Sequence, residues 1–266
     1  MIHITKASGD KEIFDKKKIQ RTVLKAGASK QFASDVANKV EKKIHEGMTT
    51  KKILTATLDL LKDKPEVASR YDLKRAIMSL GPSGFPFEKF FAKVLENYGY
   101  KTKVGNFVSG KNVKHEVDII AEKKSVYMIE CKYHNQLGIH TNLKVALYTY
   151  ARFLDLKNYF DYPWLATNTK CSPDALNYAK SVNMKITTWN YPKSESLQEL
   201  IERKKLYPIT ILNSVKGDIK ERLSQININL AKSLVDYSLE ELKSKTGFSD
   251  KVLNQIIKDA NQICYC

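Results

Sequence analysis

A chain of 266 residues with 42% hydrophobic residues has the material for one large or two modest folded domains, which excludes a disordered or low-complexity polypeptide. The balance of 45 Lys and Arg against 29 Asp and Glu gives a formal charge of +16, which favours polyanionic partners through phosphate neutralisation and counterion release; a lysine-rich solubilising surface would show the same excess. Four cysteines (Cys131, Cys171, Cys264, Cys266) without metal-ligand spacing exclude a zinc finger or disulfide scaffold and fit a reducing cytoplasm. No apolar run approaches the roughly 20 residues of a membrane span, and the N-terminus does not read as a signal peptide, so a cytoplasmic chain with no membrane partner is expected.

Residues 2–6 and 12–14 read as two short strands around the turn Ala7-Ser8-Gly9-Asp10. Helical patterns follow. Asp15 caps one that runs to Gly27, Ser34 or Asp35 opens a second towards Gly47, Thr49 or Thr50 opens a third through Leu61, and a fourth spans Glu66 to Leu80. Lys6, Gly9, Glu12, Asp15, Lys18 and Ile19, followed by Gly47-Met48-Thr49-Thr50 and by Arg70 to Ala76, stand at a spacing that resembles the ATP cone, the regulatory nucleotide-binding domain at the start of ribonucleotide reductases and in the repressors that control them.

The resemblance implies that residues 1–80 bind an adenine nucleotide, ATP or dATP, as an allosteric effector through Lys6, Glu12, Asp15, Lys18, Thr49 and Thr50. The chemistry is consistent: Lys6 and Lys18 neutralise a triphosphate, Glu12 or Asp15 accepts from the adenine amino group or the ribose, and Thr49 or Thr50 stands at a helix N-terminus that favours phosphate oxygens. Ala7 stands where the family usually carries Arg. No P-loop pattern is present, so hydrolysis of that nucleotide is not expected.

Gly81-Pro82-Ser83-Gly84-Phe85-Pro86 stops any helix and opens a second domain over 81–204. Phe87 to Tyr98 has helical spacing and carries Glu88 beside its apolar stripe. Tyr100 to Phe107 reads as a strand. Val117 to Ala121 and Val126 to Cys131 then read as a hairpin with Asp118 on one strand and Glu130 and Lys132 on the other, the last two on one face because strand side chains alternate. Two carboxylates and an ammonium at one spot suit a divalent cation and a phosphate; a strand-borne salt bridge on a solvated face is the structural alternative.

The order of helix with Glu88, strand, strand with Asp118, strand with Glu130-x-Lys132, then helix resembles the PD-(D/E)xK nuclease superfamily in its Mrr-like restriction endonuclease branch. That resemblance implies Mg²⁺ (or Mn²⁺) held by Asp118, Glu130 and the Cys131 backbone carbonyl, with Glu88 completing the shell and Lys132 activating water. Val117 replaces the superfamily's Pro. Thr141 to Leu156 reads as a helix with Leu143, Ala146, Leu147, Tyr150, Ala151 and Leu154 inward, which leaves Lys144, Tyr148 and Arg152 as a row facing a DNA backbone. His134 and His140 flank a loop and carry no assigned chemistry. Strands are expected at 162–166 and 185–189 around a helix from Ser172-Pro173.

Residues 205–266 read as helical, with amphipathic stretches over 230–235, 239–245 and 252–263 in a helix-hairpin-helix-like pattern. The fold class is α/β (α+β). The expected function is a Mg²⁺-dependent DNA endonuclease regulated by ATP or dATP, in defence against foreign DNA and with a homo-oligomer as one means of coupling. The alternatives are a catalytically silent, nucleotide-responsive DNA-binding regulator and a structure-selective repair or recombination nuclease.

Overall fold

The structure is a computed structural model and describes residues 1–265; Cys266 lies outside the described residues. The N-terminal unit pairs β1 (His3–Thr5) with β2 (Lys11–Ile13) and follows with α1 (Lys16–Lys25), α2 (Lys30–Glu41), α3 (Thr50–Leu61), α4 (Pro65–Tyr71) and α5 (Leu73–Met78). Asp15 and Thr49 cap α1 and α3 through their side chains, as their sequence positions imply. The second helix differs from expectation. It starts five or six residues early, because Ser29 rather than Ser34 or Asp35 supplies the cap by accepting from the Phe32 N–H. The fourth helical stretch breaks at Asp72 into α4 and α5.

After the Gly-Pro segment, α6 (Phe85–Asn97) begins with Pro86 in its first turn and buries Phe87, Phe90 and Phe91 completely. Next come β3 (Lys101–Ser109), β4 (Lys114–Glu122), β5 (Val126–Lys132), the short β6 (His140–Thr141), α7 (Leu143–Asp155), β7 (Tyr162–Thr167), β8 (Lys170–Cys171), α8 (Pro173–Ser181), β9 (Lys185–Thr187) and α9 (Leu197–Lys204). The main sheet has the order β3-β4-β5-β7-β9, antiparallel across β3-β4-β5 and parallel across β5-β7-β9, while β6 and β8 form a small parallel pair. The strand expected at 185–189 is thus only three residues long.

The sheet carries apolar layers on both faces. Ile119, Ala121, Ile129 and Cys131 pack towards α6, where Phe91 meets Trp164 edge-on with ring centroids 5.8 Å apart. Val117 and Met128 pack with Phe153, Leu156 and Phe160 from α7 and the turn after it. Helix α7 is rotated from its expected setting. Leu147 and Leu154 are exposed, at 43% and 51%, whereas Thr149, Arg152 and Phe153 are buried.

The C-terminal region adds α10 (Asp218–Gln225), α11 (Leu239–Thr246) and α12 (Asp250–Tyr265) with short 3-10 turns at Ile209–Ile211 and Ala231–Leu234; the last of these turns replaces the helix expected over 230–235. Ser238 and Glu241 form a reciprocal capping box at the start of α11, and Gly247, with φ +72°, ends it. Leu223, Leu230, Leu234, Leu253, Ile256 and Ile263 join the same continuous core as α6 and the sheet, and so do Leu73 and Ile77 of α5.

The N-terminal helices before α5 have a separate core around Val23, Val36, Val40 and Leu61. Several of their contacts with the rest are polar. Arg70 donates to the Ile263 and Gln262 carbonyls at the end of α12, and Lys25 pairs with Glu202 at 3.5 Å. Gly138, with φ +89°, lies so close to the β1-β2 turn that a Cβ there would come within 2.7 Å of the Ala7 carbonyl oxygen. The described cysteines Cys131, Cys171 and Cys264 are free and buried, and no described helix is long and apolar enough to cross a membrane.

Candidate functional site

Extending the β4-β5 register one step past its last pair sets Glu130 across from Asp118. Pairing of β4 with β5 runs from Glu122↔Val126 to Ile119↔Ile129 and stops there. Just beyond its end the Asp118 carboxylate, not a strand carbonyl, accepts the Cys131 backbone N–H at 2.7 Å. On the other side of β4, Val104↔Ile119 and Asn106↔Val117 leave Gly105 opposite Asp118, and Gly105 has φ +67°. Both neighbours of Asp118 in the sheet therefore depart from regular pairing at this point, a common device for re-aiming a side chain.

Glu88, from α6, completes an acidic group. Burial first, and then the charges of Asp118, Glu116 and Glu130, push its carboxyl up to about 7. Glu130 is also raised to about 7, by burial and by Asp118, against the opposing pull of Arg152 and Lys132. Burial raises Asp118 too, although the Cys131 N–H and Arg152 favour its charged form. Carboxylates that raise one another in this way are short of positive charge, and a divalent cation meets that need.

No three His, Cys, Asp or Glu side chains among the described residues already stand as a metal-ligand cluster. Glu130 is instead held by Arg152, whose Nη1 donates to Glu130 Oε2 while its Nε is buried without a partner. Lys132 is exposed. The donor chemistry nonetheless fits Mg²⁺, a hard ion that takes few carboxylates and keeps several waters.

Arg152 corrects the expected row of DNA contacts. Only 8% exposed, it turns inward to Glu130 because a buried carboxylate needs a counter-charge, and so it does not face a DNA backbone. Lys144 and Tyr148 remain exposed, with Tyr148 stacked 5.3 Å from the Arg152 guanidinium. Sequence reasoning missed Glu116, which lies two residues before Asp118 and whose alternation with it was a usable signal.

In the N-terminal unit Glu12 is clamped between Lys6 at 2.8 Å and Lys18 at 3.2 Å. Glu12, Asp15, Lys18 and Thr50 line a cavity of about 160 Å³ with Ile53, Leu54 and Tyr71, room for a base but less than the roughly 300 Å³ or more usual for a whole ligand. Lys6 and Thr49 do not line it. Thr49 spends its hydroxyl on the Lys52 N–H, and Asp15 accepts from the Lys17 N–H. Tyr71 was not singled out from the sequence. A wider cleft of about 500 Å³ beside Asp72, Arg75 and Lys216 contains none of the expected site residues.

The chain matches the family model of the ATP cone domain over residues 2–77, that of the restriction endonuclease domain over 81–201 and that of the AF1548-like C-terminal region over 207–264. An uncharacterized protein of Archaeoglobus fulgidus is 41% identical over 174 residues, which cover 65% of this chain and 98% of that protein. A solved structure described as a protein of unknown function, AF1548, is 38% identical, with TM-score 0.63 over 68% of this chain and 98% of that one. The chain belongs to the AF1548-like family. This AF1548-like protein carries an ATP cone, a nucleotide-binding domain, followed by a restriction-endonuclease-like nuclease domain.

Proposed function

We propose that this AF1548-like protein is a metal-dependent DNA endonuclease whose activity responds to ATP or dATP bound by its cone. The carrying observation is that Asp118 and Glu130 lie where the β4-β5 pairing ends, with the Asp118 carboxylate on the Cys131 N–H, and that both act electrostatically on Glu88 of α6. Asp118, Glu130 and the Cys131 carbonyl would hold Mg²⁺ (or Mn²⁺), which when bound neutralises the phosphate and acidifies its water. The Lys132 ammonium would orient the attacking water and stabilise negative charge building on the phosphorus oxygens. Glu88, raised to about 7, stands ready to exchange a proton near neutral pH. Arg152 neutralises Glu130 in this structure, and a bound cation would share that carboxylate with it. Defence against foreign DNA is proposed on the restriction endonuclease match alone, with the cytoplasm as its place of action.

In the cone, Lys18 with Glu12 and Thr50 would engage the nucleotide, and Lys6 with Thr49 would meet its phosphates further out. Domain limits of 1–80, 81–204 and 205–266 are proposed with this division of labour. Incubation of the protein with plasmid and Mg²⁺, with and without ATP or dATP, tests the reading against Asp118→Ala and Lys132→Ala. Cleavage by the parent and none by the variants is expected; cleavage by both variants refutes the site.

A second reading draws on the Arg152–Glu130 pair. A carboxylate already neutralised by arginine suits a silent fold that binds DNA in response to nucleotide, in which case salt-sensitive binding without cleavage is expected.

A further inference from the structure

Phe85 and Phe107 are the described phenylalanines that stand exposed, at 48% and 63%, and both border the acidic group. Phe85 lies three residues ahead of Glu88 on α6, hence on the same side of the helix. Its ring comes within 3.9 Å of where a Cβ on Gly105 would stand, and Gly105 is opposite Asp118. Phe107 is the register partner of Glu116, whose charge acts on Glu88, Asp118 and Glu130.

Each ring carries a cation. Lys89 Nζ is 4.6 Å from the Phe85 centroid and Lys114 Nζ 5.1 Å from that of Phe107. An ammonium beside a solvent-facing aromatic ring is the repeating unit of single-strand-binding surfaces, in which the ring stacks an unpaired base and the cation takes the adjoining phosphate. Bases inside an uninterrupted duplex are already stacked on their neighbours and offer no face to such a ring. Lys101 and Lys103 are exposed on the same strand as Phe107, ahead of Gly105, and add positive charge to β3, which complements a polyanion.

We propose that Phe85 and Phe107, with Lys89 and Lys114, form a stacking platform that binds an unpaired stretch of DNA beside the acidic site. The preferred substrate is then DNA with a bubble, flap or single-stranded gap. The cleavage side of this statement rests on the nuclease reading above; the binding side does not.

Fluorescence anisotropy of the full chain in EDTA separates the two. The probes are a single strand of about 20 nucleotides, its perfect duplex and a duplex with an unpaired centre, all at one salt concentration. The parent is expected to bind the single strand and the bubble at least about 10-fold tighter than the duplex. The Phe85→Ala/Phe107→Ala protein is expected to lose that preference while keeping its duplex affinity, since each stacked base accounts for about 5-fold or more. Phe107→Tyr, which keeps a ring, should retain it, which guards against a misfolded double variant. Equal affinity for single strand and duplex in the parent, or an unchanged preference in the double variant, overturns the platform. A preference that disappears with the two rings in a protein that cuts nothing in Mg²⁺ sustains the platform and refutes the nuclease reading instead.

Discussion

The Arg152 guanidinium reaches across from α7 to donate to the Glu130 carboxylate, joining a side chain 9% exposed to one 17% exposed. Removing one partner of such a pair strands the other charge. Arg152→Ala is expected to cost about 3 kcal/mol of folding stability without metal, and saturating Mg²⁺ to restore part of it by binding the freed carboxylate. Urea denaturation with and without Mg²⁺ measures both effects; a loss that Mg²⁺ leaves untouched would separate Glu130 from metal binding.

Glu88 sets a pH dependence whose sign follows from its raised carboxyl, about 7 in the fold against an ordinary 4.5. The fold favours the protonated form, so this contribution is present in full below about pH 4.5 and is lost as pH rises through 7. Glu88→Gln keeps a neutral group at all pH values. Its stability should match the parent at pH 4 and exceed it at pH 8, by at most about 2 kcal/mol given the group's partial exposure and read as a higher melting temperature at pH 8 alone, while DNA cleavage falls.

Lys18 lines the base-sized cavity and pairs with Glu12. Lys18→Ala is expected to weaken ATP binding by about 10-fold or more, since it removes a charge-assisted contact. Titration calorimetry of the full chain reads this directly, and an unchanged affinity would move the nucleotide elsewhere.

Gly138 sits at φ +89° against the Ala7 carbonyl. A side chain there meets both a strained backbone and a fixed carbonyl oxygen, so Gly138→Val is expected to lever the β1-β2 turn away from the nuclease domain at a cost of about 1–3 kcal/mol. Faster limited proteolysis between cone and nuclease, with the nuclease fragment still resistant, is the expected readout.

How far the sequence carried these features depends on what generated each signal. Asp118, Glu130 and Lys132 were legible because charges break an apolar alternation, and the boundary at Gly81 because glycine and proline are strong punctuation. Arg152 was misread for a physical reason. Helical periodicity ranks Leu147 and Leu154 as core residues, but the buried Glu130 carboxylate draws the arginine inward and turns the leucines out. The true start of α2 was hidden because Ser29, Ser34 and Asp35 are all acceptable caps, and tertiary packing of Ala33 and Val36 chose among them. The contact between Gly138 and Ala7 joins residues 131 positions apart and has no local signature.

The two seams of this chain also differ as evolutionary joints. Helices before Asp72 keep a core of their own, with Arg70, Lys25 and a glycine among their contacts to the rest, so a recombination event that adds or deletes this nucleotide-binding domain leaves that core whole. The C-terminal helices share their leucines and isoleucines with α6 and the central sheet. A chain that shed them would bare apolar side chains of the central domain itself, so the two regions form one folding unit.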